Sequence, residues 1–227
     1  MSRRSGGAGA LVARVIMAER PDHAGVSHCR GTLRKPMDLA FPCPPELLAE
    51  LETRYGEPWR HYHTWPHVLA CFEARDALAA PSSVAVELAM LFHDAVYEPL
   101  AHDNEEASAA LLGSAGERFG LDAAAIPRAR AIILATKHAD AIVTDPETAL
   151  MLDADLSILG SDPDTFADYE RAVRKEYSMV DDAAWKAGRA RILQSFLDRS
   201  VLYATERGRV LWDAPARANL RASLRAL

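Results

Sequence analysis

Cysteine is scarce in the 227-residue sequence, and its spacing excludes two common ways of stabilising a small fold. Cys29, Cys43 and Cys71 are odd in number, widely spaced and form no CxxC pair. They indicate neither a disulfide framework nor a zinc ribbon, and they fit a reducing, cytoplasmic compartment. Because 49% of the residues are hydrophobic, the chain can bury a core without cross-links.

Long apolar runs and strand patterns are also missing. Charged residues or histidines interrupt every apolar segment before it reaches the roughly 18 to 20 residues that a membrane span needs. Alternating β-branched runs, which are typical of strands, do not occur. We therefore expect a soluble protein with no membrane partner.

Positive charge is concentrated at the N-terminus. Residues 1–36 hold seven Lys/Arg and two Asp/Glu, whereas the rest of the chain has a net charge of −11. Gly-rich and Arg-rich stretches without a sustained period predict a poorly ordered basic tail over 1–36, and a single domain over 37–227. The acidic domain argues against extended nucleic acid as a partner and favours a small phosphorylated substrate. A homodimer is compatible with this interpretation.

Helix start signals recur from residue 44 onward. Each combines a capping side chain with a helical run, or places a proline in the first turn. Alanine is abundant and apolar residues recur every three to four positions. The sequence predicts an all-α, single-domain bundle of about eight helices, with starts at Pro44-Pro45, Ser82 or Ser83, Asp103, Asp145-Pro146, Asp162-Pro163 and Asp181.

Histidine and aspartate interrupt the apolar pattern at separate places. His67 lies in RHYHTWPHV, the dyad His93-Asp94 ends VELAMLFHD, and Asp155 lies in ALMLDADLSILG. The dyad alone is compatible with ordinary buried hydrogen bonds. With His67 and Asp155 it forms a nitrogen and oxygen ligand set suited to one divalent Mn, Fe, Co, Ni or Zn ion, and Mg is tolerated.

The order of these residues resembles the signature of the HD superfamily of metal-dependent phosphohydrolases. The resemblance covers about residues 45–225 through the blocks RHYHTWPHV, ELAMLFHDAVYEP, DNEEASA and MLDADLSILG. These blocks look like one bacterial branch of uncharacterised predicted HD hydrolases. The resemblance implies an all-helical fold with a central metal and, in many members, hydrolysis of nucleotide phosphates. It also implies that Asp155, and not Asp153, is the last ligand.

Six further residues are candidates for substrate binding or proton transfer. Asp94 and Glu105 are candidate proton-transfer groups, because the spacing of Asp103 and Glu106 is already explained by a capping box. His138 and Lys137 could face a phosphate, although a cation at a helix C-terminus is also favourable without any function. Arg60 could clamp a phosphate, and His63 could bind substrate or support a ligand.

The expected function is hydrolysis of a nucleotide or another small phosphate ester by a metal-activated water. Two alternatives keep the same fold. One is a di-iron oxygenase, for which only His102 and His138 remain as extra ligands, so that one metal is favoured. The other is a nucleotide-sensing module without turnover.

Overall fold

The computed structural model describes residues 39–137 and 143–227, and all regular secondary structure within these ranges is helical. The predicted all-α class is confirmed. The predicted tail over 1–36 lies outside the described residues. The helices are α1 (Pro45–Tyr55), α2 (Trp65–Leu78), α3 (Val84–Phe92), α4 (Asn104–Phe119), α5 (Ile126–Ala135), α6 (Pro146–Asp155) with a 3-10 turn (Leu156–Gly160), α7 (Pro163–Glu176), α8 (Asp182–Asp198), and α9, which joins Glu206–Gly208, a π-helical turn (Arg209–Asp213) and Ala214–Ala226.

Most predicted helix starts form the expected caps. The side chains of Ser83, Asp145, Asp162 and Asp181 accept hydrogen bonds from backbone N–H groups in the first turns of α3, α6, α7 and α8. Asp103 precedes α4, but its side chain makes no capping hydrogen bond, so the predicted capping box is wrong. Local sequence therefore sets most of the helix boundaries.

The core is centred on α3. Its residues Ala85 to Phe92 are all buried, because α2, α4, α5 and α6 pack around it. A helix that is apolar on every side is stable only when it is enclosed in this way. His93 and Asp94 follow immediately, so the apolar helix delivers them to the protein interior.

A second apolar cluster joins α7, α8 and α9 to the turn after α6. It includes Leu156, Phe166, Leu193, Tyr203 and Leu220, all of which are buried. This cluster packs around the turn that follows α6. Across the described ranges, no helix combines the length and the apolar character that crossing a bilayer requires.

Candidate metal centre

Three helix ends bring the predicted ligands together. His67 lies in the first turn of α2, His93 and Asp94 follow the last residue of α3, and Asp155 is the last residue of α6. These helices pack against one another, with contacts between α2 and α6, α3 and α6, and α2 and α3. His67, the adjacent pair His93-Asp94 and Asp155 are far apart in sequence, but their side chains meet at one point.

The distances between their ligand atoms are short. His67 Nε2 lies 3.0 Å from His93 Nε2, 3.2 Å from Asp155 Oδ1 and 3.6 Å from Asp94 Oδ2. His93 Nε2 lies 3.1 Å from Asp94 Oδ2 and 3.7 Å from Asp155 Oδ1. Each imidazole therefore meets the other imidazole and both carboxylates through its Nε2 atom.

These separations fit ligands around one divalent ion. Protein nitrogen and oxygen ligands lie about 2.0–2.2 Å from a metal such as zinc, so two neighbouring ligands are about 2.9–3.6 Å apart for octahedral to tetrahedral geometry. The observed range, 3.0–3.7 Å, matches that expectation. The donor set of two imidazoles and two carboxylates could hold a metal ion.

His93 is oriented for this role by its other nitrogen. His93 Nδ1 lies 3.0 Å from the carbonyl oxygen of Met90, which can only accept a hydrogen bond. A proton therefore resides on Nδ1, and Nε2 faces the centre, where it could bind a metal ion after losing its own proton. A backbone partner of this kind fixes the ring and the tautomer of many metal-binding histidines.

The electrostatics of the centre favour a cation. Burial alone would lower the pKa of His93, but the charge and hydrogen bond of Asp94 and the charge of Asp155 outweigh burial and raise it to about 9. The pKa of Asp94 is lowered despite burial, because His93 and His63 stabilise its carboxylate. Two partly buried carboxylates thus attract protons, and a divalent ion would take the place of those protons.

Cys71 is a neighbour of the centre that sequence reasoning missed. It lies one turn after His67 on α2, and its Sγ atom is 3.8 Å from His67 Nε2. Cys71, His67, His93 and Asp155 place ligand atoms within 4.8 Å of one another. Burial and the charges of Asp155 and Asp94 raise the pKa of the thiol, so it stays protonated near neutral pH. The i, i+4 spacing from His67 was the available signal.

Asp153 faces away from the centre. Its carboxylate accepts hydrogen bonds from Ala204 N, Thr205 N and Thr205 Oγ1 at 2.6–2.8 Å. It therefore anchors the segment before α9 to α6. The geometry places Asp155, and not Asp153, among the candidate ligands.

His63 lies at the edge of the centre, paired with Glu176. His63 Nδ1 is 2.7 Å from Glu176 Oε2, and the imidazole stacks on Tyr97 with ring centroids 4.0 Å apart. Burial lowers the pKa of His63, but Asp94 and the hydrogen bond to Glu176 raise it overall. The Glu176 carboxylate is hydrogen-bonded to His63 Nδ1, so His63 Nε2 can interact with another partner.

Glu176 also holds the loop that precedes α2. Its Oε1 atom accepts hydrogen bonds from the backbone N–H groups of His61, Tyr62 and His63 at 2.7–2.9 Å. The hydroxyl of Tyr97 donates to its Oε2 atom. Sequence reasoning missed Glu176, because nothing in the local pattern of α7 shows that its last residue meets a loop more than 110 positions earlier.

Arg60 occupies a different place from the one predicted. Its side chain is fully buried, and its guanidinium donates to the backbone oxygens of His63, Asp94 and Ala95 and to Glu57 Oε2. Four of its five N–H groups bond to these acceptors and the side chain is enclosed, so Arg60 is not placed to clamp a phosphate. Arg60 instead fixes the backbone at the dyad.

Lys137 and Glu105 lie on the outside of α4 and α5. Lys137 Nζ is 2.5 Å from Glu106 Oε1, 3.0 Å from the carbonyl oxygen of His102 and 3.8 Å from Glu105 Oε2. Neither Lys137 nor Glu105 lines the cavity beside the metal centre, so the structure does not bring them to the ligands. His138 lies outside the described residues, and His102 is exposed.

A cavity of about 410 Å³ opens beside the four ligands. Asp94, Asp155 and His63 line the end next to the metal centre. The remaining walls come from the loop before α2, the segment after α3, the turn after α6, and helices α7 and α8. They are Tyr62, Tyr97, Leu100, Leu156, Ile158, Leu159, Tyr169, Val173, Tyr177, Val180, Ala184, Trp185, Gly188, Arg189, Ile192 and Phe196.

Comparisons with known proteins add no family. No family model, no curated protein and no solved structure matches the chain. The resemblance to the HD superfamily therefore depends on the sequence blocks described above, and the centre itself must be interpreted from its geometry and chemistry.

Proposed function

We propose that this chain is a metal-dependent phosphohydrolase that cleaves a nucleotide or another small phosphate ester. One observation carries the proposal: His67, His93, Asp94 and Asp155 converge, and the two aspartates also line a cavity large enough for a small molecule. The resemblance of the four sequence blocks to the HD superfamily points to the same chemistry.

The ligand set is suited to hydrolysis. When bound, a divalent ion supplies hydroxide at neutral pH and positive charge beside a phosphoryl oxygen. Asp94 and Asp155 reach both the ligand cluster and the cavity, so a phosphate in the cavity would lie next to the ion.

His63 is the group best placed to serve the leaving oxygen. Its Nδ1–H is held by Glu176, and the ring lines the cavity beside Asp94. We assign His63 the role of general acid: as water oxygen bonds to phosphorus and the ester P–O bond breaks, Nε2–H donates its proton to the departing alkoxide. The carboxylates of Asp94 and Glu176 outweigh burial and raise the pKa of His63, which favours its protonated form.

The test is phosphate release by the full chain with Mn²⁺ or Co²⁺ over a panel of nucleotides and simple phosphomonoesters. We expect turnover by the unchanged protein and a loss of at least about a hundredfold in Asp94→Asn. Asp168→Asn is the matched control, because this aspartate is exposed on α7, does not line the cavity and, among the described residues, pairs with Arg171. Equal activity, or equal inactivity, of the unchanged protein and Asp94→Asn would refute the proposal.

A further inference from the structure

The cavity beside the metal centre contains little charge beyond its metal end. Of its described lining residues, only His63, Asp94, Asp155 and Arg189 can carry a charge at neutral pH. The first three belong to the metal end. Arg189 is therefore the residue that decides whether the other walls carry charge, and the side chains around it are mainly apolar.

Arg189 is already neutralised by the protein. Its side chain is 5% exposed, its Nη2 atom pairs with Glu170 Oε1, and Nε lies 3.4 Å from Glu170 Oε2. Nη2 also donates to the hydroxyl of Tyr169 at 2.9 Å. Its charge is thus already paired, and a phosphate that bound this guanidinium would compete with the partly buried carboxylate of Glu170.

Two of the four tyrosines that line the cavity, Tyr97 and Tyr169, use their hydroxyls within the protein. The hydroxyl of Tyr97 donates to Glu176, and that of Tyr169 accepts from Arg189. Trp185 and Phe196 add further aromatic surface on α8, and aliphatic side chains from the turn after α6 and from α7 complete the walls. A ligand in this space would gain from apolar contact and would lose the hydration of any charged group.

We propose that the group esterified to the phosphate is uncharged and mainly apolar, so that the substrate is a lipophilic phosphomonoester and not a nucleoside di- or triphosphate. This inference rests on the proposed function for the position of the phosphate at the metal end. One divalent ion and His63 offset the charge of one phosphoryl group. Each additional phosphate would face the apolar walls without a free cation among the described lining residues.

The experiment measures binding with compounds that cannot be hydrolysed. The Mn²⁺-loaded full chain is titrated calorimetrically with n-alkylphosphonates from methyl to hexyl, with 5-carboxypentylphosphonate, and with ATP. We expect Kd to fall by up to about fourfold for each added methylene over the first few. The carboxylated compound and ATP should bind more weakly than hexylphosphonate.

Two matched variants test whether the dependence of Kd on chain length arises in the cavity. Ile192 lines the cavity on α8 and is 48% exposed, whereas Leu134 on α5 is 43% exposed and lies outside the cavity lining. Ile192→Asp should abolish most of the dependence on chain length, and Leu134→Asp should preserve it. Circular dichroism and thermal unfolding show whether each variant is folded.

The outcomes separate the two proposals. A Kd that is independent of chain length, undetectable binding of every phosphonate, or ATP binding as tight as hexylphosphonate would overturn the apolar substrate class. Chain-length dependence without turnover of any phosphomonoester would refute the hydrolase and leave an apolar phosphate-binding site. Turnover without chain-length dependence would refute only the substrate class.

Discussion

At the residue scale, two aspartates that lie close together on one helix have different roles. Asp153 and Asp155 are two residues apart on α6, so they cannot share a helix face. Asp155 meets His67 and His93, whereas Asp153 accepts three hydrogen bonds from Ala204 and Thr205. Sequence could predict that one of them would bind, and the resemblance chose the residue that the geometry places there.

This division predicts opposite effects for two identical substitutions. Asp155→Asn should abolish tight binding of Mn²⁺ and change the stability of the metal-free chain little. Asp153→Asn should bind Mn²⁺ normally but lower the free energy of unfolding by about 2–4 kcal/mol, since an amide replaces a buried carboxylate that accepts from two backbone N–H groups. Metal content and urea unfolding with a chelator present measure the two effects. Metal loss in Asp153→Asn with retention in Asp155→Asn would reverse our assignment.

Glu176 provides a pH prediction at the same scale. Burial would raise the pKa of its carboxyl, but hydrogen bonds from His63, Tyr62 and His61 outweigh burial and lower it from 4.5 to about 2. A lowered carboxyl pKa stabilises the fold fully above the unfolded value, and this contribution is lost as the pH falls from about 4.5 towards 2. The loss should be about 3 kcal/mol.

The measurement compares urea unfolding of the unchanged protein and Glu176→Gln between pH 2.5 and pH 7, with a chelator present. The stability difference should be largest above pH 5 and should shrink steadily below pH 4.5. Because Glu170 is also on α7 but lies in a different ion pair, Glu170→Gln provides a comparison. A stability difference between Glu176→Gln and the unchanged protein that does not vary with pH would contradict the role assigned to Glu176.

Local signals and long-range contacts differ in how well sequence predicts them at the element scale. The caps of α3, α6, α7 and α8 depend on residues within three positions of each helix start, and they were predicted. The burial of Arg60 and the walls of the cavity depend on which helices pack together, and no periodicity encodes that. The prediction that Arg60 clamps a phosphate is therefore wrong, whereas most of the predicted helix starts are confirmed.

Two helical glycines test the packing of α8 and α9. A Cβ atom added at Gly188 on α8 meets nothing within 4 Å, whereas one added at Gly208 would lie 2.3 Å from Asp153 Oδ2. Gly188→Ala should raise the free energy of unfolding by about 0.5–1 kcal/mol, because alanine lowers the entropy cost of helix formation. Gly208→Ala should lower it by at least about 1 kcal/mol through displacement of the Asp153 carboxylate.

Urea denaturation of both variants measures these changes. Gly113→Ala, on α4, is a useful control, since its added Cβ meets only the end of the Arg130 side chain at 3.9 Å. Destabilisation by Gly188→Ala, or tolerance of alanine at Gly208, would mean that α8 or α9 packs differently.

At the scale of the described fold, packed helices bring two carboxylates beside two imidazoles, and this arrangement makes metal binding depend on pH. In the metal-free protein the pKa of His93 is raised to about 9, so a proton must leave when a metal ion binds below that pH. Mn²⁺ or Zn²⁺ affinity should therefore increase by up to about tenfold per pH unit from pH 6 to pH 9 and then level off. Competition with a chromophoric chelator measures this dependence, and constant affinity over that range would contradict it.

The most direct test of the account is the number of metal ions that one chain binds. Chelator-treated protein is dialysed anaerobically to equilibrium against Mn²⁺ or Fe²⁺, and metal and protein are then measured in the same sample. We predict one tightly bound ion per chain, and its loss in His67→Ala, His93→Ala and Asp155→Ala. No bound ion, two tightly bound ions, or an ion that survives all three substitutions would contradict a single centre built from these side chains.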